Sequence, residues 1–184
     1  AVIALGKIGN PSSIPALRKK LNDEHKWVVS AAIEALGNMG DPSVIPDLTK
    51  FLKEKSYKFH VIQALGLING KASLELLKKI YEDEDPKVKT AVMDSIGLIG
   101  DSSVISLLER ACKDENSDVR ASAIRAAGKL ALPETYDMVL RALGDSNFDV
   151  KTEAILALGE IGKKKAAGEL KKLLSDSRYN IWAA

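Results

Sequence analysis

A glycine that recurs inside an apolar helical pattern restricts this chain more than any other feature. The sequence has 184 residues, and successive copies of the glycine lie 31, 29, 31, 31 and 31 residues apart. The copies are Gly6, Gly37, Gly66, Gly97, Gly128 and Gly159. Self-similarity at such a period indicates a stack of similar supersecondary units in which each unit packs on its neighbours. The sequence therefore predicts a repeat architecture.

The residues around each glycine predict an amphipathic helix. Apolar residues stand nine, five and one residues before the glycine and two residues after it, as Val119, Ala123, Ala127 and Leu130 do around Gly128. At about 100° per residue these offsets share one helix face. A glycine inside a helix costs up to ~1 kcal/mol relative to alanine. Its presence in every unit predicts that another helix crosses so closely that a Cβ atom would collide.

A second helical pattern follows each glycine. Its apolar residues lie eight, eleven and fifteen positions on, as in Ile14, Leu17 and Leu21. The turns between the two patterns contain residues suited to a left-handed helix terminus, which are Gly9, Gly40, Asn69, Gly100 and Gly162. Asn10-Pro11, Asp41-Pro42 and Asp101 then supply helix N-caps. The sequence predicts an all-α chain of helix pairs.

An acidic residue also recurs six positions before a basic one. The pairs are Asp83 and Lys89, Asp114 and Arg120, and Asp145 and Lys151. We expect a structural ladder in which each aspartate accepts hydrogen bonds from turn amides and pairs with the basic residue of its own or the next repeat. The alternative is that these are solvated surface charges. Val29 and Trp182 replace the cation in two repeats.

The repeated phrase D-x(4)-V-[RK]-x(2)-A-x(2)-A-L-G-x-[IL]-G resembles HEAT repeats, in particular a short class associated with phycobilisome lyases. The preceding helix often carries Ile-Pro, as at Ile14-Pro15 and Ile45-Pro46. The resemblance implies a right-handed α-α superhelix (an α-solenoid) of about six helix pairs. One array would cover residues 1–184, with units at 1–9 (partial), 10–39, 40–69, 70–100, 101–131, 132–162 and 163–184 (partial).

The resemblance also assigns the glycine-bearing helix to an inner, concave wall and the other helix to an outer wall. The inner helices are predicted at residues 1–9, 26–39, 56–69, 86–99, 117–130, 148–161 and 178–184. The outer helices are predicted at 11–22, 42–54, 72–83, 102–114, 133–144 and 164–175. Compared with the other repeats, the turn between Leu52 and Tyr57 is two residues shorter and lacks the recurring aspartate. We expect a local irregularity there.

Both ends of the sequence fall inside a helical pattern. Ala1 aligns with the fifth residue before a glycine, and Ile181 aligns with the ninth. Solenoids need polar terminal repeats for solubility. The sequence is therefore expected to be an interior fragment of a longer array, whose terminal apolar faces a neighbour or self-association would cover.

Composition favours a soluble protein without a membrane span and with little attraction for nucleic acid. The net charge is +2, no apolar run approaches the roughly 20 residues of a transmembrane helix, and Cys112 is the single cysteine. Cys112 occupies an apolar slot and is expected in the core rather than as a reactive thiol. One cysteine fits a reducing compartment, and a cytoplasmic location is expected.

The sequence nominates no catalytic residue, metal site or cofactor. His25 and His60 have no cysteine, histidine or carboxylate at metal-ligand spacing. Deoxyhypusine hydroxylase, an iron enzyme on similar repeats, needs several His-Glu pairs, whereas this chain has only the reversed pair Glu24-His25. No phosphate loop, G-x-S-x-G or H-E-x-x-H motif occurs. We therefore expect a protein that is not an enzyme.

The solvent side of the inner helices is the predicted binding surface. Positions ten, seven and three before each glycine and one after it share the helix side opposite the core, and several carry apolar residues. The candidate residues are Trp27, Glu34, Phe59, Gln63, Leu67, Asp94, Leu98 and Arg125. An apolar patch with a charged rim is typical of a protein-binding hot spot. The alternative is that Trp27 folds over its preceding turn and that Leu67 and Leu98 pack on the adjacent repeat.

The predicted function is a non-enzymatic scaffold that binds a protein or peptide on this wall. Two other functions remain open. One is a bilin lyase or lyase subunit acting on phycobiliproteins, which rests on the family resemblance. The other is a nucleic-acid-binding scaffold, for which the candidate cationic runs are the lysines at 19–20, 163–165 and 171–172.

Overall fold

A computed structural model describes residues 1–82, 85–162, 166–168 and 170–171, and these residues form helices and turns without any β-strand. The chain divides into two compact units, unit 1 at Ala1–Gly100 and unit 2 at Asp101–Ala184. The division falls between two predicted repeats, after an inner helix and before an outer one. All-α architecture is confirmed.

The described residues of unit 1 form seven α-helices. They are α1 (Val2–Ile8), α2 (Ile14–Lys20), α3 (Lys26–Met39), α4 (Ile45–Thr49), α5 (Lys55–Ile68), α6 (Lys71–Ile80) and α7 (Pro86–Ile96). The described part of unit 2 contains α8 (Ile105–Ala111), α9 (Ser117–Leu130), α10 (Thr135–Ala142) and α11 (Phe148–Ile161). The odd-numbered helices carry the repeated glycine or end at it. These are the inner helices, and the others are the outer helices.

The inner helices follow the predicted bounds closely. Helices α3, α9 and α11 coincide with the predicted ranges 26–39, 117–130 and 148–161. Helix α7 ends at Ile96 rather than at residue 99, and Leu98 and Ile99 continue in a turn with hydrogen bonds to Ser95 and Ile96, three residues back. Most of the predicted helices at 164–175 and 178–184 lie outside the described residues.

The outer helices are shorter than predicted because three of them begin with a 3₁₀ turn. These turns are Pro11–Ser13, Pro42–Val44 and Ser102–Val104. In the first, Pro15 has no N–H to give to the Pro11 carbonyl, so the Ile14 N–H bonds it instead. The predicted N-caps are confirmed, since the side chains of Asn10, Asp41 and Asp101 each accept from the backbone N–H two residues on. The first two of these turns contain both an N-cap side chain and a proline, whereas the third has the N-cap side chain alone.

The shortened connection in the second repeat changes the end of its outer helix. Helix α4 passes into a 3₁₀ helix at Lys50–Lys53, and Glu54 alone separates that segment from α5. Phe51 packs edge-on against Tyr57 with ring centroids 5.5 Å apart. The irregularity expected between Leu52 and Tyr57 takes this form.

Each unit buries an aliphatic layer between its outer and inner helices. The largest fully buried side chains of unit 1 are Leu17, Ile33, Leu36, Leu48, Ile62, Leu65, Leu74, Leu77, Met93 and Ile96. Those of the described part of unit 2 are Leu108 and Ile124. The core thus comes from both members of each helix pair, as the repeat pattern predicts.

Asn69 has a positive φ of 44° but a ψ of 98°, so the predicted left-handed helix end is wrong at this residue. The prediction is confirmed at Gly9, Gly40, Gly100 and Gly162, which have φ values of 70°, 67°, 71° and 64°. Ala131 takes the same region with φ 48° in the repeat that lacks a glycine there. Within the described residues, no helix combines the length and apolar character required to traverse a bilayer.

Candidate functional site

Successive inner helices touch at the repeated glycines. A Cβ atom added at Gly37 would lie 2.7 Å from both the Cα and the Cβ of Ala64, and one at Gly6 would lie 2.7 Å from the Cα of Ala35. In unit 2, a Cβ at Gly128 would lie 2.5 Å from the Cβ of Ala157. At these three glycines the approaching helix is the inner helix of the next repeat.

The residue that approaches Gly6, Gly37, Gly66 and Gly128 is a small one, whose position the repeated phrase includes as alanine but to which no role was assigned. It stands two positions before the next glycine, and Ser95 fills this role opposite Gly66. All six residues at this position are small: Ala4, Ala35, Ala64, Ser95, Ala126 and Ala157. This shared smallness was the available signal. Within each unit this packing repeats the same offset between neighbouring inner helices. Exposed residues at the same distance from the repeated glycine therefore line up in rows across those helices.

Seven candidate residues lie on the solvent side of unit 1. Trp27 and Phe59 stand near the starts of α3 and α5 and are 70% and 44% exposed. They lie ten and seven positions before their repeated glycines, so they are offset by about one turn and do not form a row. Glu34, Gln63 and Asp94 form the middle row on α3, α5 and α7. Leu67 and Leu98 stand at the other end and are 38% and 48% exposed. We call these seven residues the unit 1 stripe.

Trp27 contacts its preceding turn without being covered by it. The indole and the His25 ring have centroids 6.3 Å apart at an interplanar angle of 57°. With 70% of the residue exposed, most of the indole surface remains available to solvent. Ile3 and Ile8 of α1 are also exposed apolar residues of unit 1, at 58% and 71%.

Both histidines contact a carboxylate in the structure, which the prediction that they lack ligands at metal-binding spacing did not address. Nδ1 of His60 lies 2.9 Å from Oε1 of Glu34, across the interface between α5 and α3. Nδ1 of His25 lies 3.2 Å from Oδ1 of Asp23. Sequence spacing could not reveal the first pair, because 26 residues separate its members. The interaction with His60 orients Glu34 within the stripe.

Arg125, the remaining candidate, belongs to unit 2. Its guanidinium lies 3.1 Å from Oε1 of Glu153 on the next inner helix. Relative to the repeated glycine, Arg125 and Glu153 occupy the positions that Glu34 and His60 occupy in unit 1. The same two repeat positions thus hold a carboxylate and an imidazole in unit 1, and a guanidinium and a carboxylate in unit 2.

The acid–base ladder runs between repeats at Arg120. Its guanidinium donates to both carboxylate oxygens of Asp145 at 2.8 and 2.9 Å and to the backbone oxygen of Asp114 at 2.9 Å. The hydrogen bond from Arg120, more than the backbone N–H of Asn147, holds the pKa of Asp145 below its usual value. Asp114 accepts from the N–H of Asn116.

The other ladder members behave differently. The Nζ atom of Lys89 lies 5.7 Å from the centroid of the Tyr81 ring, a cation–π interaction. Lys151 acts on Asp145 through its charge, which lowers the pKa of that carboxyl less than Arg120 does. Val29, which stands where other repeats have the cation, is buried. Asp83 lies outside the described residues.

A cavity of about 280 Å³ in unit 2 contains Cys112 among its lining residues, with Met138, Arg141 and Glu109. The thiol is half-buried, and burial raises its pKa to about 12. Such a thiol is protonated at neutral pH and is a poor nucleophile. In the part of the chain that the structure describes, no three His, Cys, Asp or Glu side chains are grouped to hold a metal ion.

Comparisons with known proteins agree with this architecture. The family model described as HEAT repeats matches residues 1–59, 54–122 and 106–184. No curated protein sequence matches the chain.

Two solved structures are similar in fold. The complex of CpcE and CpcF of phycocyanin lyase from Nostoc sp. PCC7120 is 23% identical, with a TM-score of 0.61 over 91% of this chain and 72% of that one. Human deoxyhypusine hydroxylase is 18% identical, with a TM-score of 0.52 over 87% of this chain and 77% of that one. At these identities the likeness concerns the fold alone.

Proposed function

The chain belongs to the HEAT-repeat family, and on that basis we propose that it is a non-enzymatic scaffold whose unit 1 stripe binds a protein or peptide. The supporting observation is the exposure of Trp27, at 70%, and Phe59, at 44%, on two inner helices that touch. Aromatic residues make up only 5% of the sequence. Exposed apolar groups that adjoin one another mark interaction sites more often than scattered ones do.

The stripe has the residue types of an interaction hot spot. Tryptophan carries a disproportionate share of binding energy at protein interfaces, and aromatic residues are enriched there. Trp27, Phe59, Leu67 and Leu98 stand at the two ends of the stripe, with the polar row of Glu34, Gln63 and Asp94 between them. The packing of glycine on alanine fixes the helices that carry them, so little order has to be gained on binding.

The size of the stripe favours a short segment as the partner. The eleven positions from Trp27 to the row of Leu67 and Leu98 rise about 16 Å, and three inner helices spaced 8–10 Å apart span about 18 Å between the outermost axes. A single helix about 10–12 Å wide fits within these dimensions. A peptide or a single protruding element matches this size.

Site-specific photocrosslinking tests the proposal. A photoreactive p-benzoylphenylalanine replaces Gln63, at the centre of the stripe, and a control carries it in place of Glu75, which is exposed on the outer helix α6. In extract of the cells that produce the protein, we expect a discrete adduct from the Gln63 site and not from the Glu75 site. The adduct should disappear in Trp27→Ala/Phe59→Ala.

The control for that double variant is Phe148→Ala in unit 2, since Phe148 has the same 44% exposure as Phe59. This variant should leave the adduct unchanged. Identical adducts from both probe sites, or an adduct that persists in the double variant, would overturn the proposal.

A second candidate function is that of a lyase or lyase subunit acting on phycobiliproteins. It is supported by the fold similarity to the CpcE–CpcF complex over 91% of this chain. The test mixes the protein with a bilin and an apo-phycobiliprotein and follows absorbance. A red-shifted, covalently attached chromophore that forms only in the presence of the chain would favour this candidate over the scaffold.

The single cysteine supports a reducing compartment, and we place the proposed scaffold in the cytoplasm. Fractionation of the producing cells tests this placement. We expect the protein in the fraction that contains cytoplasmic markers.

A further inference from the structure

The cavity in unit 2, separate from the unit 1 stripe, has the features of a second binding site. We infer that this cavity binds a small amphipathic carboxylate, whose apolar body enters the cavity while its carboxylate meets Arg141 at the mouth. The inference goes beyond the proposed function, because it concerns another unit and another class of ligand. It rests on the origin of the cavity, on its apolar floor and on the charges around its mouth.

The cavity lies between the end of outer helix α8 and outer helix α10. The inner helices α9 and α11 touch where Gly128 meets Ala157, whereas a space of about 280 Å³ separates the two outer elements. Cys112, which lines this space, stands fifteen residues after a repeated glycine. The residues at the same distance from the glycine in other repeats are larger, namely Leu21, Leu52, Tyr81 and Leu143. The small cysteine side chain therefore leaves room that leucine or tyrosine fills elsewhere.

The floor of the cavity is apolar. Ile124 of α9, Met138 of α10 and Val150 of α11 line it, and all three side chains are buried. An engineered apolar cavity of about 150 Å³ is large enough to bind benzene. At about 280 Å³, this cavity has room for a short alkyl chain or a single aromatic ring. A mainly apolar concave space with a few polar groups at its edge is typical of small-molecule sites.

The mouth of the cavity carries more positive than negative charge. Arg141, Lys113 and Glu109 line the cavity and are exposed. Asp145 lines it too, but both of its carboxylate oxygens accept hydrogen bonds from Arg120, at 2.8 and 2.9 Å. Two cations and one anion are left. Within the described residues, Arg141 and Lys113 form no ion pair, so both are available to a ligand.

The Cys112 thiol senses the same charges from inside the cavity. Burial raises its pKa to about 12, while the charges of Arg141 and Lys113 act to lower that pKa and the charge of Glu109 acts to raise it. Arg141 has the largest effect of the three, so together they make the electrostatic potential at the thiol positive. A carboxylate beside Arg141 gains the charge-assisted hydrogen bonds that a planar guanidinium forms with carboxylates. An anion is therefore the favoured head group.

Two probes that share an apolar chain and differ in the sign of their charge test the inference. Octanoate and octylammonium are each added to protein labelled with carbon-13 at the methionine methyl groups, and binding is followed by nuclear magnetic resonance. Met138 lies in the cavity, whereas Met39 and Met93 belong to unit 1 and serve as internal controls. We expect octanoate to cause a saturable shift of the Met138 signal alone and to bind about three- to tenfold more tightly than octylammonium.

Two variants assign the binding to the cavity and to its cation. Cys112→Leu introduces the residue found at Leu21 and Leu52, and by filling the space it should remove the response of Met138. Arg141→Gln should weaken the binding of octanoate about three- to tenfold without weakening that of octylammonium. The matched control is Lys129→Gln, which removes one positive charge at an exposed position near the end of α9 and should leave both affinities unchanged.

The outcomes separate cleanly. Equal affinities for octanoate and octylammonium, or the same loss of octanoate binding in Lys129→Gln as in Arg141→Gln, would overturn the choice of an anionic ligand. A Met138 signal that does not respond to octanoate, or that responds equally in folded Cys112→Leu, would show that the cavity is not the site. Because none of these measurements involves the unit 1 stripe, the photocrosslinking experiment decides the proposed function separately.

Discussion

Replacing Gly37 with alanine tests the packing that sets the register of the inner helices. The new methyl group would lie 2.7 Å from both the Cα and the Cβ of Ala64, whereas ordinary van der Waals separation begins at 3.4 Å. Because one of the two close atoms belongs to the backbone, no side-chain rotation relieves the clash. Helices α3 and α5 must separate locally by about 0.7 Å, the difference between those two distances.

Two opposing terms set the magnitude. Overpacking a core site costs about 1–3 kcal/mol, and the rigid backbone partner favours the upper end of that range. Alanine gains up to about 1 kcal/mol over glycine in helix propensity. We therefore expect Gly37→Ala to lower the free energy of unfolding by about 2 kcal/mol. Gly66→Ala should cost less, since its Cβ would lie 2.9 Å from the Cβ of Ser95.

Urea unfolding followed by circular dichroism at 222 nm provides the assay, with Asn38→Ala as the control. Asn38 is exposed on the same helix, so its replacement changes helix propensity by about 0.5 kcal/mol in the stabilising direction without adding a clash. Adding Ala64→Gly to Gly37→Ala should not restore stability, because the new methyl group would still collide with the backbone of α5. A Gly37→Ala protein as stable as wild type would refute the reasoning.

Three other interactions give further tests. Asp145→Asn should destabilise the protein at neutral pH, because it removes the carboxylate that pairs with Arg120. Arg120 lowers the pKa of Asp145 in the folded state, so the stabilisation is present above the unfolded-state pKa of about 3.9 and is lost as the pH falls through the folded-state pKa. The difference in stability between wild type and variant should therefore shrink below about pH 4. Urea titrations from pH 7 to 3 check this, and a difference that stays constant over the range contradicts it. Cys112, with a pKa of about 12, should react with a thiol reagent at pH 8 much more slowly than a free cysteine and should accelerate in urea; labelling at the free-cysteine rate would contradict its burial. Asn116→Ala should cost about 1 kcal/mol, because the Asn116 side chain accepts from the N–H groups of Asp118 and Val119 at the start of α9; thermal or urea unfolding equal to wild type would show that the cap is dispensable.

Local patterns were sufficient to predict the helices. The bounds of α3, α9 and α11 follow from apolar spacing and, for α3 and α11, from the terminal residues Gly40 and Gly162, which act within about one turn of the residues they affect. The lengths of the outer α-helices were overestimated because three of these helices begin with a 3₁₀ turn. At Pro15 this outcome can be understood from the missing N–H, but the pattern of apolar residues alone does not separate the two helix types.

Packing between repeats was predicted less well. The glycine spacing predicted a close helix crossing, but it did not identify Ala35, Ala64, Ser95 and Ala157 as the residues approached. Their shared position, two residues before the next glycine, was visible in the sequence. Similarly, the ladder prediction left open whether Arg120 pairs within its own repeat or with the next one, and the structure places Asp145 of the next repeat against it.

The stripe combines predictable and unpredictable features. Periodicity identified the solvent side of the inner helices, and Trp27 and Phe59 lie there. The interaction between His60 and Glu34 could not be predicted, because it depends on the offset between α3 and α5 that the packing of Gly37 on Ala64 sets. Register between helices is a tertiary property, so an error of one turn would have separated the two side chains.

The central claim, that the unit 1 stripe is a binding surface, is tested most directly by nuclear magnetic resonance. Assigned signals of the Trp27 indole and of the Leu67 and Leu98 methyl groups are followed while the partner identified by the Gln63 photocrosslink is added, with the methyl groups of Leu156, 58% exposed in unit 2, as the internal control. We predict saturable shifts that are largest at Trp27, Leu67 and Leu98 and negligible at Leu156. Shifts centred on Leu156 or on the outer helices would contradict the account.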